Sequence, residues 1–161
     1  MSFVFLTGEY VYKVKKPVNL GYLDYTTLEK RRFFCQQELE LNRRLCPEVY
    51  LDVVAITRDK EGTHIEGEGE VTEYAVKMRQ LPQPRMMDVL LRSNQVTPEM
   101  VTRVAAKLAR FHQKAETNSK IAAFGKLDVI RQNTDENFSQ TEKYIDAVSY
   151  THLTLPTNRE V

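Results

Sequence analysis

An excess of charge of either sign is missing from this sequence. Its 161 residues carry 23 Lys+Arg against 22 Asp+Glu, a formal charge of +1, so no general electrostatic pull draws it to nucleic acid or to an anionic membrane. Long apolar runs are missing too. None has the length to span a bilayer, and the opening Met1-Ser-Phe-Val-Phe-Leu6 lacks both the basic start and the length of a secretory signal. Cysteine is scarce: Cys35 and Cys46 fall inside and at the end of one predicted helix, and 11 residues apart on a rigid rod they could not reach each other. A reducing, cytoplasmic setting is expected. With only three scattered histidines beside those cysteines, no metal site is expected. No internal repeat is visible, and the length suits one ordinary domain or two small lobes.

What is present begins with a hairpin. Residues 3–6 and 10–18 are strand-like, Thr7-Gly8-Glu9 supplies the turn, and Pro17 brings the second strand to its end. In that strand Val11, Lys13 and Lys15 face one way, while Tyr12, Val14 and Lys16 face the other. Thr26 as N-cap with Glu29 three positions on makes a capping box for a helix over about 27–45, stopped by Pro47. Residues 49–57 and 74–81 read as a second hairpin with a long acidic turn over 59–70. The "GEGE" at 67–70 is read as a surface turn, because its glutamates would repel the phosphate that a glycine loop cradles. Leu81-Pro-Gln-Pro84 breaks regular structure where a connector between two lobes belongs. Helices follow at 85–92 and, with Thr97 as N-cap and Pro98 at the first helical position, from 98 to about 116, with Met100, Val104, Leu108 and Phe111 as the expected buried stripe. A further helix is expected over 135–147. From Val148 the segment "VSYTHLTLPTNREV" changes character abruptly and resembles a translated adapter sequence, so residues 148–161 are expected to be non-native, with a disordered tail as the alternative.

One residue breaks the pattern of the long helix. At about 100° per residue, Glu38 lies among Phe34, Leu41 and Leu45, where the apolar stripe should be densest. A carboxylate turned into a packed seam is costly unless a positive partner meets it. Arg31 on the same helix, Asn42 four residues on and Lys13 on the inward face of the preceding strand are the candidates. A helix packed on a sheet turns its stripe toward that sheet, which favours Lys13, with Val11 flanking the same cavity. Lys15, Lys16, Arg31, Arg32, Arg43 and Arg44 read as solvated faces, and His112 as a packed or surface side chain rather than a ligand.

A hairpin with an inward lysine, a long helix with an inward glutamate, two more strands and a proline-marked connector are the order found in the small lobe of kinase-like phosphotransferases. The block "VFLTGEYVYKVKKPVNLGYLDYTTLEKRRFFCQQELELNRRLCPEVYL", together with "EYAVKMRQLP", resembles the aminoglycoside phosphotransferase-like family, in particular a bacterial subgroup sometimes fused to a P-loop ATP-binding domain. The resemblance covers roughly residues 2–147. It implies an α+β fold: a kinase-like small nucleotide-binding lobe over 1–81 with an antiparallel sheet and one long helix, a connector at 82–84, and the first helices of a truncated helical lobe over 85–147. It implies ATP and Mg as cofactors and a small-molecule hydroxyl as acceptor. In Val11-Tyr12-Lys13, Lys13 looks like the phosphate-binding lysine and Glu38 like its helix partner. Met78 looks like the back of the adenine pocket, and Arg79, Gln80 and Leu81 like the connector whose backbone would bond adenine.

The departures from that family carry equal weight. The strand and nucleotide-covering loop expected before the hairpin have no counterpart, and no His-x-Asp occurs at His64, His112 or His152, so the catalytic loop and the metal-holding carboxylates are absent. Positioning and charge neutralisation are nearly all a protein contributes to phosphoryl transfer. The chain is therefore expected to be a non-catalytic part of such an enzyme, binding nucleotide weakly at most. The alternative is a self-contained small α+β binding module without nucleotide chemistry, which requires a solvent-facing Glu38 and helices that close over the sheet.

Overall fold

Two strands open the chain, β1 (Ser2–Leu6) and β2 (Tyr10–Lys15). They turn through Gly8, whose φ of +92° a glycine reaches without a Cβ penalty. The computed structural model describes residues 1–142; the end of the helix expected over 135–147 and the tail expected from Val148 lie outside the described residues. Helix α1 (Leu28–Arg43) follows, capped by Thr27, whose side chain accepts from the Lys30 N–H. The cap thus falls one residue later than the predicted Thr26. That hydroxyl donates to Asp24 at 2.6 Å instead.

Strands β3 (Tyr50–Arg58), β4 (Thr63–Ile65) and β5 (Glu70–Arg79) complete an antiparallel sheet in the order β1-β2-β5-β3-β4. The acidic turn predicted over 59–70 therefore contains a strand of its own, β4, paired to the end of β3. β5 comes last in sequence yet lies in the middle, with β2 on one side and β3 on the other, so its Ala75 and Val76 are completely buried. Alternation along the strands divides the sheet into two faces. On one, Tyr12, Val14, Val54 and Ala75 form a core cluster, with Tyr10 and Ile56 packed against it. On the other, Lys13 is paired in register with Val76, and Val11 with Met78.

Helix α1 lies across β5, with the fully buried Cys35 placing its Sγ 3.9 Å from the Tyr74 carbonyl. The helix face turned to the sheet differs from the one its apolar residues suggest. Leu41 is exposed and Phe34 only half-buried, whereas Arg31 and Cys35 are buried and Glu38 and Asn42 partly so. These four recur at helical spacing. A line made largely of polar residues faces inward because Arg31 and Glu38 find charged partners on the strands and Cys35 a carbonyl.

Beyond β5 a short 3-10 turn (Gln83–Arg85) leads to α2 (Met87–Arg92) and α3 (Pro98–Lys114). As predicted, Thr97 caps α3, its hydroxyl accepting the Met100 N–H at 3.4 Å. The expected buried stripe of α3 is not buried: Val104 is 47% and Leu108 44% exposed, with Met100 and Phe111 intermediate. Amphipathic periodicity marks a face that wants a partner and does not supply one. Residues Met1–Lys114 form one compact unit, and a second begins at Ala115. Within the second, Asn118 caps α4 (Ser119–Phe124) by accepting the Ile121 N–H at 2.9 Å, and α5 (Leu127–Glu142) begins eight residues before the predicted start. Among the described residues no helix is long and apolar enough to cross a membrane.

Candidate functional site

The site is assembled from β2 and α1. Residues two apart on a strand share a face, so Lys13 and Lys15 both reach toward α1. Lys13 donates to Oε1 of Glu38 and Lys15 to Oε2. The three side chains differ in exposure: 28% for Lys13, 7% for Lys15 and 14% for Glu38. Burial works to raise the Glu38 pKa, but the hydrogen bonds from Lys13 and Lys15 and their charges outweigh it, and the carboxyl is held below its ordinary value. Burial likewise works to lower the Lys15 pKa, and the bond and charge of Glu38 outweigh that and raise it. The formal charges of the two lysines and the glutamate leave the cluster with one positive charge in excess.

Two arginines hold α1 in the position that presents Glu38. Buried Arg31 places Nε 2.7 and 2.9 Å from the two Glu73 oxygens of β5 and donates Nη1 to the carbonyls of Tyr25 and Thr26. Near the other end, Arg43 donates to the carbonyls of Tyr50 and Leu51 where β3 begins. The reading of Arg31 and Lys15 as solvated surface is therefore corrected. Arg31 and Lys15 are buried, and Arg43 joins helix to strand from an exposed position. Asn42 donates to the backbone carbonyl of Glu38 at 2.7 Å rather than to its carboxylate. Of the three partners weighed for that carboxylate, the structure brings Lys13 to it; Arg31 is engaged by Glu73.

The remaining residues singled out in the sequence line up beside this triad. Val11 and Met78 are register partners on the face that carries Lys13, and Leu6 and Val4 of β1 pair with Val11 and Lys13. Leu6 is 62% exposed, which leaves an open apolar strip leading away from the charged end. In the connector the Arg79 N–H donates to Val49 at 2.8 Å and the Gln80 N–H to Glu9 at 2.9 Å. Those two donors are consumed within the protein. Among the described residues no carbonyl receives the Leu81 N–H.

Lys15 is the residue that sequence reasoning missed, although its signal was present: it stands two positions from Lys13 on the same strand face. A lysine is read as solvated by default, and only the second oxygen of Glu38 makes its burial tolerable. A cavity of about 630 Å³ elsewhere is lined by Arg44, Leu45, Lys107, Arg110, Phe111 and Lys114. Its lining offers cations but no carboxylate. Among the described residues no cluster of His, Cys, Asp and Glu is arranged to hold a metal ion.

No family model matches the chain, and no solved structure does. It is similar to uncharacterized proteins of Mycobacterium bovis and of two strains of Mycobacterium tuberculosis, with 30% identity over 145 residues, or 90% of this chain. The chain spans 28% of the length of these curated relatives.

Proposed function

We propose that this chain is the nucleotide-binding part of an ATP-dependent small-molecule phosphotransferase of kinase-like fold, and that it is non-catalytic by itself. The observation that carries the reading is the contact of Lys13 on β2 with Glu38 on α1. In kinase-like enzymes such a pair positions the lysine against the ATP phosphates. The sheet order supports it, since the lysine strand β2 lies directly beside β5, the strand that runs into the connector at Arg79–Leu81. In this arrangement Lys13 meets the phosphates, Val11, Met78 and Leu6 give an apolar wall for the base, and the Leu81 N–H is the donor left for its edge.

The residues fit the anionic and aromatic parts of a nucleotide but not its magnesium ion. Both oxygens of the Glu38 carboxylate accept from lysine ammonium groups, whose charges oppose a cation there, and among the described residues no cluster of His, Cys, Asp and Glu is arranged to hold one. The alternative, a closed binding module, requires a solvent-facing Glu38 and helices that seal the sheet. Glu38 is 14% exposed, and the stripe of α3 stands open. The test is calorimetry together with amide-shift mapping on titration with Mg-ATP. Binding weaker than about millimolar, with shifts centred on Val11, Lys13, Met78 and Leu81, is expected. Shifts centred elsewhere, or their complete absence, overturn the nucleotide reading; robust turnover of a hydroxyl substrate overturns the non-catalytic one.

A further inference from the structure

A single lysine paired to a single half-buried glutamate faces a conflict when an anion arrives. If the lysine swings to the anion, the carboxylate is stranded in a poorly solvated place, and the stranding opposes binding. Here the carboxylate has two cations, one on each oxygen, and they are unequal. Lys15 is 7% exposed, with its Nζ 5.4 Å from the centroid of the Tyr25 ring and beside buried Cys35. Lys13 is four times as exposed at 28%, and Glu38 is its partner. It also lies nearer to Val11 and Met78 along the open strip. Lys15 is enclosed; Lys13 has somewhere to go.

We propose that Lys15 is a positioning residue that holds Glu38 permanently, so that Lys13 is an exchangeable cation carrying the uncompensated positive charge of the triad to a phosphate oxygen. The inference rests on the nucleotide reading above and adds the division of labour between the two lysines. In the empty state Glu38 parks Lys13 and keeps it extended along the sheet face. When a polyphosphate arrives, Lys13 moves its hydrogen bond from Oε1 of Glu38 to the anion, and the carboxylate remains ionised and paired through Oε2. Charge sharing lowers the cost of that exchange.

The test is NMR of the lysine Nζ and Cε groups, using inorganic tripolyphosphate and then Mg-ATP as probes, on the wild-type chain, Lys15→Met, Lys15→Arg and Lys13→Met. In the wild type the Lys13 signals are expected to shift on titration while those of Lys15 stay in place. In Lys15→Met the Lys13 response is expected to need at least about tenfold more anion, roughly 1.4 kcal/mol, and Lys15→Arg is expected to restore most of it. In Lys13→Met the anion response is lost while Lys15 keeps its signature of a paired ammonium. Equal shifts of both lysines in the wild type, or an unchanged Lys13 titration in folded Lys15→Met, overturn this inference and leave the nucleotide reading standing. Silence of both lysines toward both probes overturns the two together. The wild-type comparison decides the matter even if a variant does not fold.

Discussion

Lys15 donates to Oε2 of Glu38 from the strand beneath it, and the two side chains are 7% and 14% exposed. A pair so enclosed is worth little in net stability beside a well-packed apolar replacement, yet it is costly to break on one side only. Glu38→Ala leaves two lysines without their counter-charge, one of them buried. It is expected to destabilise the sheet unit by about 3 kcal/mol, the lower end of the range for broken buried pairs because Lys13 is partly solvated. Lys13→Met is expected to cost under about 1 kcal/mol, since Glu38 keeps Lys15. Urea midpoints at constant m-value check both.

The same triad sets a pH window. The Glu38 pKa lies below its ordinary value of 4.5, so its contribution is fully present above that value and is lost as pH falls through the folded-state pKa. The Lys15 pKa lies above its ordinary value of 10.5, so its contribution is fully present below that value and is lost as pH rises through the folded-state pKa. Stability from the triad is expected to be flat between these limits and to fall outside them. Glu38→Gln is expected to flatten both limbs, and unchanged limbs in that variant would place the titrating groups elsewhere.

The two cysteines are free and unequal. Burial pushes the Cys35 thiol up to about 11, and its side chain has no solvent exposure. Thiolate fraction and access both set alkylation rates, so Cys35 is expected to resist iodoacetamide at pH 8 in the native state while Cys46 reacts. Mass spectrometry should show one modified thiol in native buffer and two in denaturant. Rapid double labelling in native buffer would contradict the packing of α1 on β5.

Gly69, before β5, has a φ of +125°, and a Cβ placed there would lie 2.6 Å from the carbonyl oxygen of Arg58. Gly69→Ala is expected to cost about 1–3 kcal/mol through backbone strain and displacement of the β3–β5 end pair. Thermal melting against the neighbouring Glu68→Ala, a control expected within about 0.5 kcal/mol of the parent, separates strain from general loop sensitivity.

Strand β1 is at the edge of the sheet, and its Phe3, Val4, Phe5 and Leu6 are all more than half exposed. An apolar edge with unpaired backbone groups is a template for another strand. The parent chain is expected to self-associate with rising concentration in sedimentation runs, and Phe5→Lys is expected to reduce this with little loss of fold. An unaltered association profile would move the sticky surface to the open helix stripes.

Several features were legible in the residues alone because they rest on local rules. Alternation and turn chemistry located the first hairpin and the strands on either side of the acidic turn. Thr97-Pro98 marked the start of α3, and the misfit of Glu38 in an apolar stripe pointed to a cation on the facing strand. Local rules failed where partners are distant in sequence. Strand β4 is only three residues long and is held by its pairing to β3, a pattern too short for periodicity to detect. The inward line of α1 is Arg31, Cys35, Glu38 and Asn42 rather than its leucines, because Glu73, 42 residues from Arg31, turns an arginine into a buried residue. Lys15 shared the strand face of Lys13 in the sequence, but only its bond to Glu38, 23 residues away, marks it as a site residue. The sequence by itself determined the elements and one demand, that a cation meet Glu38. Only the tertiary structure decided that two cations meet it, since burial and pairing depend on which strand is laid beneath which turn of the helix.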